Sequence, residues 1–170
     1  MRIMWFGALR HAWRDLIRYK AVDKEKRSIV FYAEDIWAWK HFEPIIQMLL
    51  ETPGQQVCYV TSNRSDPVLQ TQNNRIQAFY VGLGPFRTSW FQSLEADVLV
   101  MTLPDLGIYH IKRSPNPVHY VYVHHSMVST HMVYRPNAFD HFDSIMCVGP
   151  HHRDEILATE KLYGLEPKIL

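Results

Sequence analysis

Cysteine is scarce in this sequence. Cys58 and Cys147 are the only two in 170 residues, and each sits in an apolar, strand-like run. In such a setting cysteine behaves as a small hydrophobe, so the two read as buried free thiols of a reducing compartment, not as a disulfide. The sequon Asn63-Arg64-Ser65 carries no weight there. An excess of charge is also missing: 18 Lys and Arg face 17 Asp and Glu, for a net charge of +1. That balance excludes a general attraction to nucleic acid. The chain has no G-x-S-x-G, no P-loop and no G-x-G-x-x-G, so no nucleophile elbow, nucleotide-phosphate loop or dinucleotide fingerprint can be assigned. Repeats and low-complexity segments are absent, and no apolar run is long enough to span a bilayer.

What is present is enough apolar material for a real core, 47% hydrophobic and 13% aromatic residues. The length suits one domain with an appended arm. The arm is "MRIMWFGALRHAWRDLIRYK". It lacks the long apolar stretch and small-residue cleavage site of a signal peptide, and its arginines interrupt any membrane span. On a helical wheel Trp5, Leu9, Ala12, Trp13 and Leu16 share one arc, with Arg10, Arg14 and Arg18 on the neighbouring arc. This predicts a basic amphipathic helix over residues 1–22. Such a helix either lies on an anionic bilayer surface or packs its apolar arc on the domain.

Beyond the charged break at "AVDKEKR", strand and helix patterns alternate over residues 27–170. Strands are expected at 28–34, 56–62, 76–82, in "ADVLVMTLPDL", in "HYVYVHHS" and in "DSIMCVGP". Helices are expected at 35–51, with Asp35 as N-cap and Pro44 bending or dividing it, at 84–95, and from His151 to a C-cap at Gly164. Runs such as Val98-Leu99-Val100-Met101 and Ile145-Met146-Cys147-Val148 are continuously apolar, the mark of strands covered on both faces. The fold class is therefore α/β, a Rossmann-like, doubly wound, mainly parallel sheet.

In such sheets ligands bind beyond the carboxyl ends of the strands. Polar residues gather at those ends: Thr61 and Ser62, Gly82 and Gly84, Thr102 to Asp105, then His124, His125 and Ser126, then His151 and His152. The Gly82-to-Pro85 turn is a phosphate-loop candidate only in that it opens a helix. The histidine spacings, H-H and H-x-x-x-x-x-H, are not those of zinc sites and no carboxylates are grouped with them, so no metal is assigned. A strand-end imidazole can instead take a proton from a hydroxyl, or simply bond backbone. Adjacent residues of a strand point in opposite directions, so only one of His124 and His125 faces the crevice squarely.

The segment "YVYVHHSMVSTHMVYRPNAFDHFDSIMCVGPHHRDEI", followed by "ATEKLYGLEPK", resembles the CDP-glycerol glycerophosphotransferase family, in particular its surface-polysaccharide (teichoic-acid) branch. The resemblance is strong over Tyr120 to Lys168, weak over Ser28 to Leu106 and absent for the arm. It implies a two-domain GT-B transferase of which this chain is the N-terminal, acceptor-side domain, inactive alone. The donor CDP-glycerol would bind a C-terminal domain beyond Leu170, so no cofactor or donor-binding residue is assigned here. The implied acceptor is a polyol- or saccharide-phosphate, lipid-linked where the arm meets a membrane, and the implied location is cytoplasmic at the inner membrane face. In the better-known polymerases glycine follows the strand-end histidine; here Ser126 does, which leaves both His125 and His124 as counterparts. His125, with His124 in reserve, is the implied catalytic base. Ser126, Ser129, Thr130, His131, Arg135 and His151 are the candidate acceptor contacts. Half of another GT-B glycosyltransferase or sugar-nucleotide epimerase, and a non-catalytic membrane-docking module, are the alternatives.

Overall fold

The computed structural model describes residues 2–104, 106–107 and 110–170, and the side chains of residues 2–6 are outside that description. The Trp5 side chain and Asp105, both named above, lie outside the described residues. Six strands form one all-parallel sheet: β1 (Ile29–Ala33), β2 (Val57–Thr61), β3 (Ile76–Tyr80), β4 (Val98–Met101), β5 (His119–Val123) and β6 (Ser144–Met146). Their order is β3-β2-β1-β4-β5-β6. This is the doubly wound, Rossmann-like arrangement, and it reverses direction between β1 and β4. Val57 to Thr61 are all buried, as the continuous apolar runs require of strands covered on both faces.

The helices are α1 (Arg2–Lys20), α2 (Trp39–Leu50), α3 (Pro85–Gln92), α4 (Thr130–Val133) and α5 (Pro150–Tyr163). One face of the sheet packs Tyr32, Val60, Phe79, Met101, Tyr120 and Tyr122 against Leu16 and Tyr19 of α1, Trp90 and Phe91 of α3, and Ile156 of α5. The other face packs Phe31, Tyr59 and Val100 against Phe42, Ile46 and Leu50 of α2. Asp35 accepts the Trp37 N–H at 2.8 Å and so caps a short 3-10 turn, Ile36–Ala38, that feeds α2. The α-helix continues through Pro44 without a second start. At the far end of α5, Gly164 takes the left-handed conformation of a C-cap (φ 63°, ψ 37°).

The arm is a helix, but its buried stripe differs from the one on the wheel. Ala12, Asp15, Leu16 and Tyr19 are buried, whereas Trp13 is 54% exposed and touches the domain through the Phe86 ring. Asp15 is the cause. Its carboxylate, 1% exposed, accepts the backbone N–H of Tyr80 in β3 at 3.1 Å, a bond from Arg18 at 2.9 Å and a contact from His11 at 3.2 Å. A buried carboxylate is tolerated where it is fully bonded, and these donors turn the helix so that Asp15 faces the sheet. Both cysteines are free; Cys58 is buried and Cys147, just past β6, is half-buried.

Candidate functional site

The reversal between β1 and β4 sends the chain after β1 toward one face and the chain after β4 toward the other. A cleft of about 240 Å³ opens between them. Its walls are Glu34, Asp35, Trp37, Ala38, Lys40 and His41 after β1, Thr102, Leu103 and Pro104 after β4, and His125 after β5. This is where a doubly wound sheet seats a ligand.

Beside the cleft, and reaching its wall only through Glu34, runs a chain of hydrogen bonds across three strand ends. Ser62 Oγ donates to the Gly82 carbonyl at 2.7 Å, and the Tyr32 hydroxyl meets Ser62 Oγ at 2.8 Å. With its own proton committed to Gly82, Ser62 accepts the proton of Tyr32. Arg87 completes the chain, donating to Glu34 at 2.7 Å and reaching Tyr32 Oη at 3.5 Å. Gly82 is in the left-handed region (φ 68°), and a Cβ there would sit 3.3 Å from Tyr80 Oη. Its conformation lets the backbone turn tightly over the network. Burial raises the Tyr32 pKa, so the phenol stays protonated and serves as a donor.

His124 and His125 separate as strand alternation requires. His125 is exposed and lies in the cleft, its ring centroid 5.7 Å from that of His41 in an edge-to-face arrangement. The His41 pKa is lowered by burial first, then by Lys40 and His125, which favours a neutral imidazole. His124 is 3% exposed and points into the opposite layer. There its ring packs on Tyr122, Phe139 and Tyr134 and lies 4.0 Å from the His152 ring. Neither His124 nitrogen has a hydrogen-bond partner, and burial, followed by His152, His125 and His151, lowers its pKa to about 4. His152, also buried, donates from Nε2 to the Val128 carbonyl at 2.7 Å.

Ser129, Thr130, His131 and Arg135 gather elsewhere. Glu155 of α5 accepts both the Thr130 N–H at 2.5 Å and the Thr130 hydroxyl at 2.6 Å, and so caps α4 from outside. Burial works to raise the Glu155 pKa, but the bonds from Thr130 and Ser129 and the nearby His131 outweigh it and lower it to about 2. Ser129 Oγ meets His131 Nδ1 at 3.0 Å. Thr130, His131 and Arg135 line a second cavity of about 130 Å³, which also holds the buried Glu160–Lys168 pair. The two cavities share no lining residue. His151 is at the carboxyl edge with His125, but its ring packs on His152, 4.2 Å away. Among the described residues no group of three or more His, Cys, Asp or Glu side chains could hold a metal ion.

His41 and Trp37 were not legible as site residues. The signal that would have found them is topological: a parallel β1 beside β4 brings the first helical turn after β1 to the switch point. Together the sheet order and the cleft define a Rossmann-like α/β domain with a polar cleft at its switch point. Comparison with protein-family models, curated proteins and solved structures finds no match to the chain.

Proposed function

We propose that this chain is the acceptor-side domain of a CDP-glycerol glycerophosphotransferase-like enzyme that transfers glycerol phosphate to a hydroxyl acceptor in surface-polymer synthesis. The observation that carries the reading is His125, an exposed imidazole at the carboxyl end of a buried parallel strand, inside the switch-point cleft and facing His41. The resemblance over Tyr120 to Lys168 supports it independently. In this reading His125 takes the proton of the acceptor hydroxyl. The hydroxyl oxygen attacks the β-phosphorus of CDP-glycerol, a new P–O bond forms, and the bond to the bridging oxygen breaks with its electrons going to CMP. CDP-glycerol sits on a second domain in this scheme, so the assay uses this chain together with that domain: CMP release and glycerol phosphate appearing on the acceptor. Transfer of a sugar from a sugar nucleotide in place of glycerol phosphate would favour another GT-B transferase.

A peripheral membrane role has its own observation. None of the described helices is long and apolar enough to cross a membrane. Trp13 and Ile17 of α1, 54% and 50% exposed, nevertheless lie beside the exposed Arg10, Arg14 and Arg18. An apolar strip rimmed by arginine suits an anionic bilayer surface. The chain is expected to float with vesicles containing phosphatidylglycerol and not with neutral ones. Changing Arg10 and Arg14 together to Gln, which spares the Arg18–Asp15 bond, is expected to remove about 2 kcal/mol of attraction, roughly 1 per charge. Flotation that is unchanged by the double substitution would rule this surface out.

A further inference from the structure

Trp37 is 67% exposed on a turn that is otherwise fixed. Asp35 bonds its backbone N–H, Ala38 beside it is buried, and Trp39 anchors the turn edge-to-face on Tyr59 at 5.6 Å. The indole is therefore held at the cleft rim by its neighbours and not by packing of its own. Lys40 Nζ lies 5.9 Å from the ring centroid, drawn to the negative face of the π-system.

The cleft chemistry narrows what this ring can receive. Glu34 is neutralised by Arg87 at 2.7 Å, and the lining otherwise carries one carboxylate, Asp35, and one ammonium, Lys40, so it is polar but close to balanced. A lone phosphate dianion finds no excess of cations there. A sugar ring fits better on three counts. Its C–H face carries partial positive charge and stacks on an indole. Its hydroxyls can donate to carboxylates and accept from imidazole N–H and Thr102. The volume of about 240 Å³ is below the ~300–1,000 Å³ of drug-sized pockets and suits one ring.

We propose that Trp37 and His41 form a saccharide subsite in this cleft, and that the acceptor is a sugar ring presenting one hydroxyl to His125 and not a linear polyol phosphate. This rests on the acceptor-side reading given above, and Trp37 acts as a specificity residue, away from the reacting atoms. The test uses the chain itself, with its Trp37 indole N–H and imidazole Cε1–H resonances assigned by Trp37→Phe, His41→Gln and His125→Gln. The probes are the methyl glycosides of glucose, galactose, mannose and N-acetylglucosamine, with sn-glycerol 3-phosphate as the linear competitor. At least one glycoside is expected to shift the Trp37 and His125 signals together and saturably. Trp37→Ala should weaken it about tenfold, while Trp37→Phe retains most of the affinity. Shifts from glycerol 3-phosphate alone would overturn the saccharide subsite and leave the transferase reading standing. Glycoside binding that is indifferent to Trp37→Ala would also overturn it. Silence from every probe would overturn the subsite and withdraw the cleft from the transferase reading as well.

Discussion

In the two-domain transferase proposed above, replacing His125 with alanine is expected to lower kcat by roughly 10²- to 10⁴-fold, the contribution of a positioned general base, and to leave the KM for CDP-glycerol nearly unchanged. The first effect is expected from the position of the imidazole in the cleft, the second from the proposal that the donor sits on a second domain. The substitution is well suited to the question because His125 is exposed. Exposed substitutions of this kind change stability by within about 0.5 kcal/mol, so circular dichroism and melting should match the parent. His124→Ala is not an equivalent test: that ring is 3% exposed within an aromatic layer, and its loss opens a cavity. Near-normal turnover in a well-folded His125→Ala enzyme would sink the proposed mechanism.

The second large effect is on stability. His124 has a folded pKa of about 4, below the ordinary 6.5. A depressed folded value means that the unfolded chain binds the proton first, so stability is fully present above about pH 6.5 and drains away as pH falls toward 4. The interval corresponds to about 3 kcal/mol. The groups around the ring are His152 and His151 of α5, His125 next to it, the rings of Tyr122, Tyr134 and Phe139, and Glu155, whose charge opposes the shift. Glu155 loses its own contribution lower, as pH falls from about 4.5 through about 2, so the two limbs separate. Urea unfolding at pH 7, 6, 5 and 4 should show the loss in the parent. His124→Phe, which keeps a planar ring in the same shell, should abolish most of it and cost under about 1.5 kcal/mol at pH 7. Identical pH slopes for the two proteins would mean that other groups carry the acid sensitivity.

The continuous apolar run at Val98 to Met101 made a covered parallel sheet legible from sequence, because a strand with both faces buried has no polar phase to show. The same reasoning overextended the last strand. β6 ends at Met146, which is 44% exposed, and Cys147 and Val148 have already left the sheet. The opposite facing of His124 and His125 follows from a period of two and needs no structure, although which of them meets the cleft does. Sequence reasoning could not pair His41 with His125, since their proximity comes from strand order and not from spacing. Nor could it orient α1. A wheel weights Trp13 over Asp15, and the outward N–H of Tyr80, together with Arg18 and His11, makes burying a carboxylate the better choice.

That bond has a counterpart at the other side of the sheet. Ile169 pairs with β6: its N–H reaches the Asp143 carbonyl at 3.1 Å and its carbonyl accepts the Ile145 N–H at 2.8 Å. α1 thus guards the β3 margin and the segment 165–170 guards the β6 margin. An unguarded margin is a template for another chain. Deleting residues 2–20, or residues 165–170, should therefore have the same outcome: concentration-dependent self-association, visible in light scattering as growing particles where the parent stays at one size. Particles of constant size in both truncated proteins would show that neither segment serves to keep copies of the sheet apart.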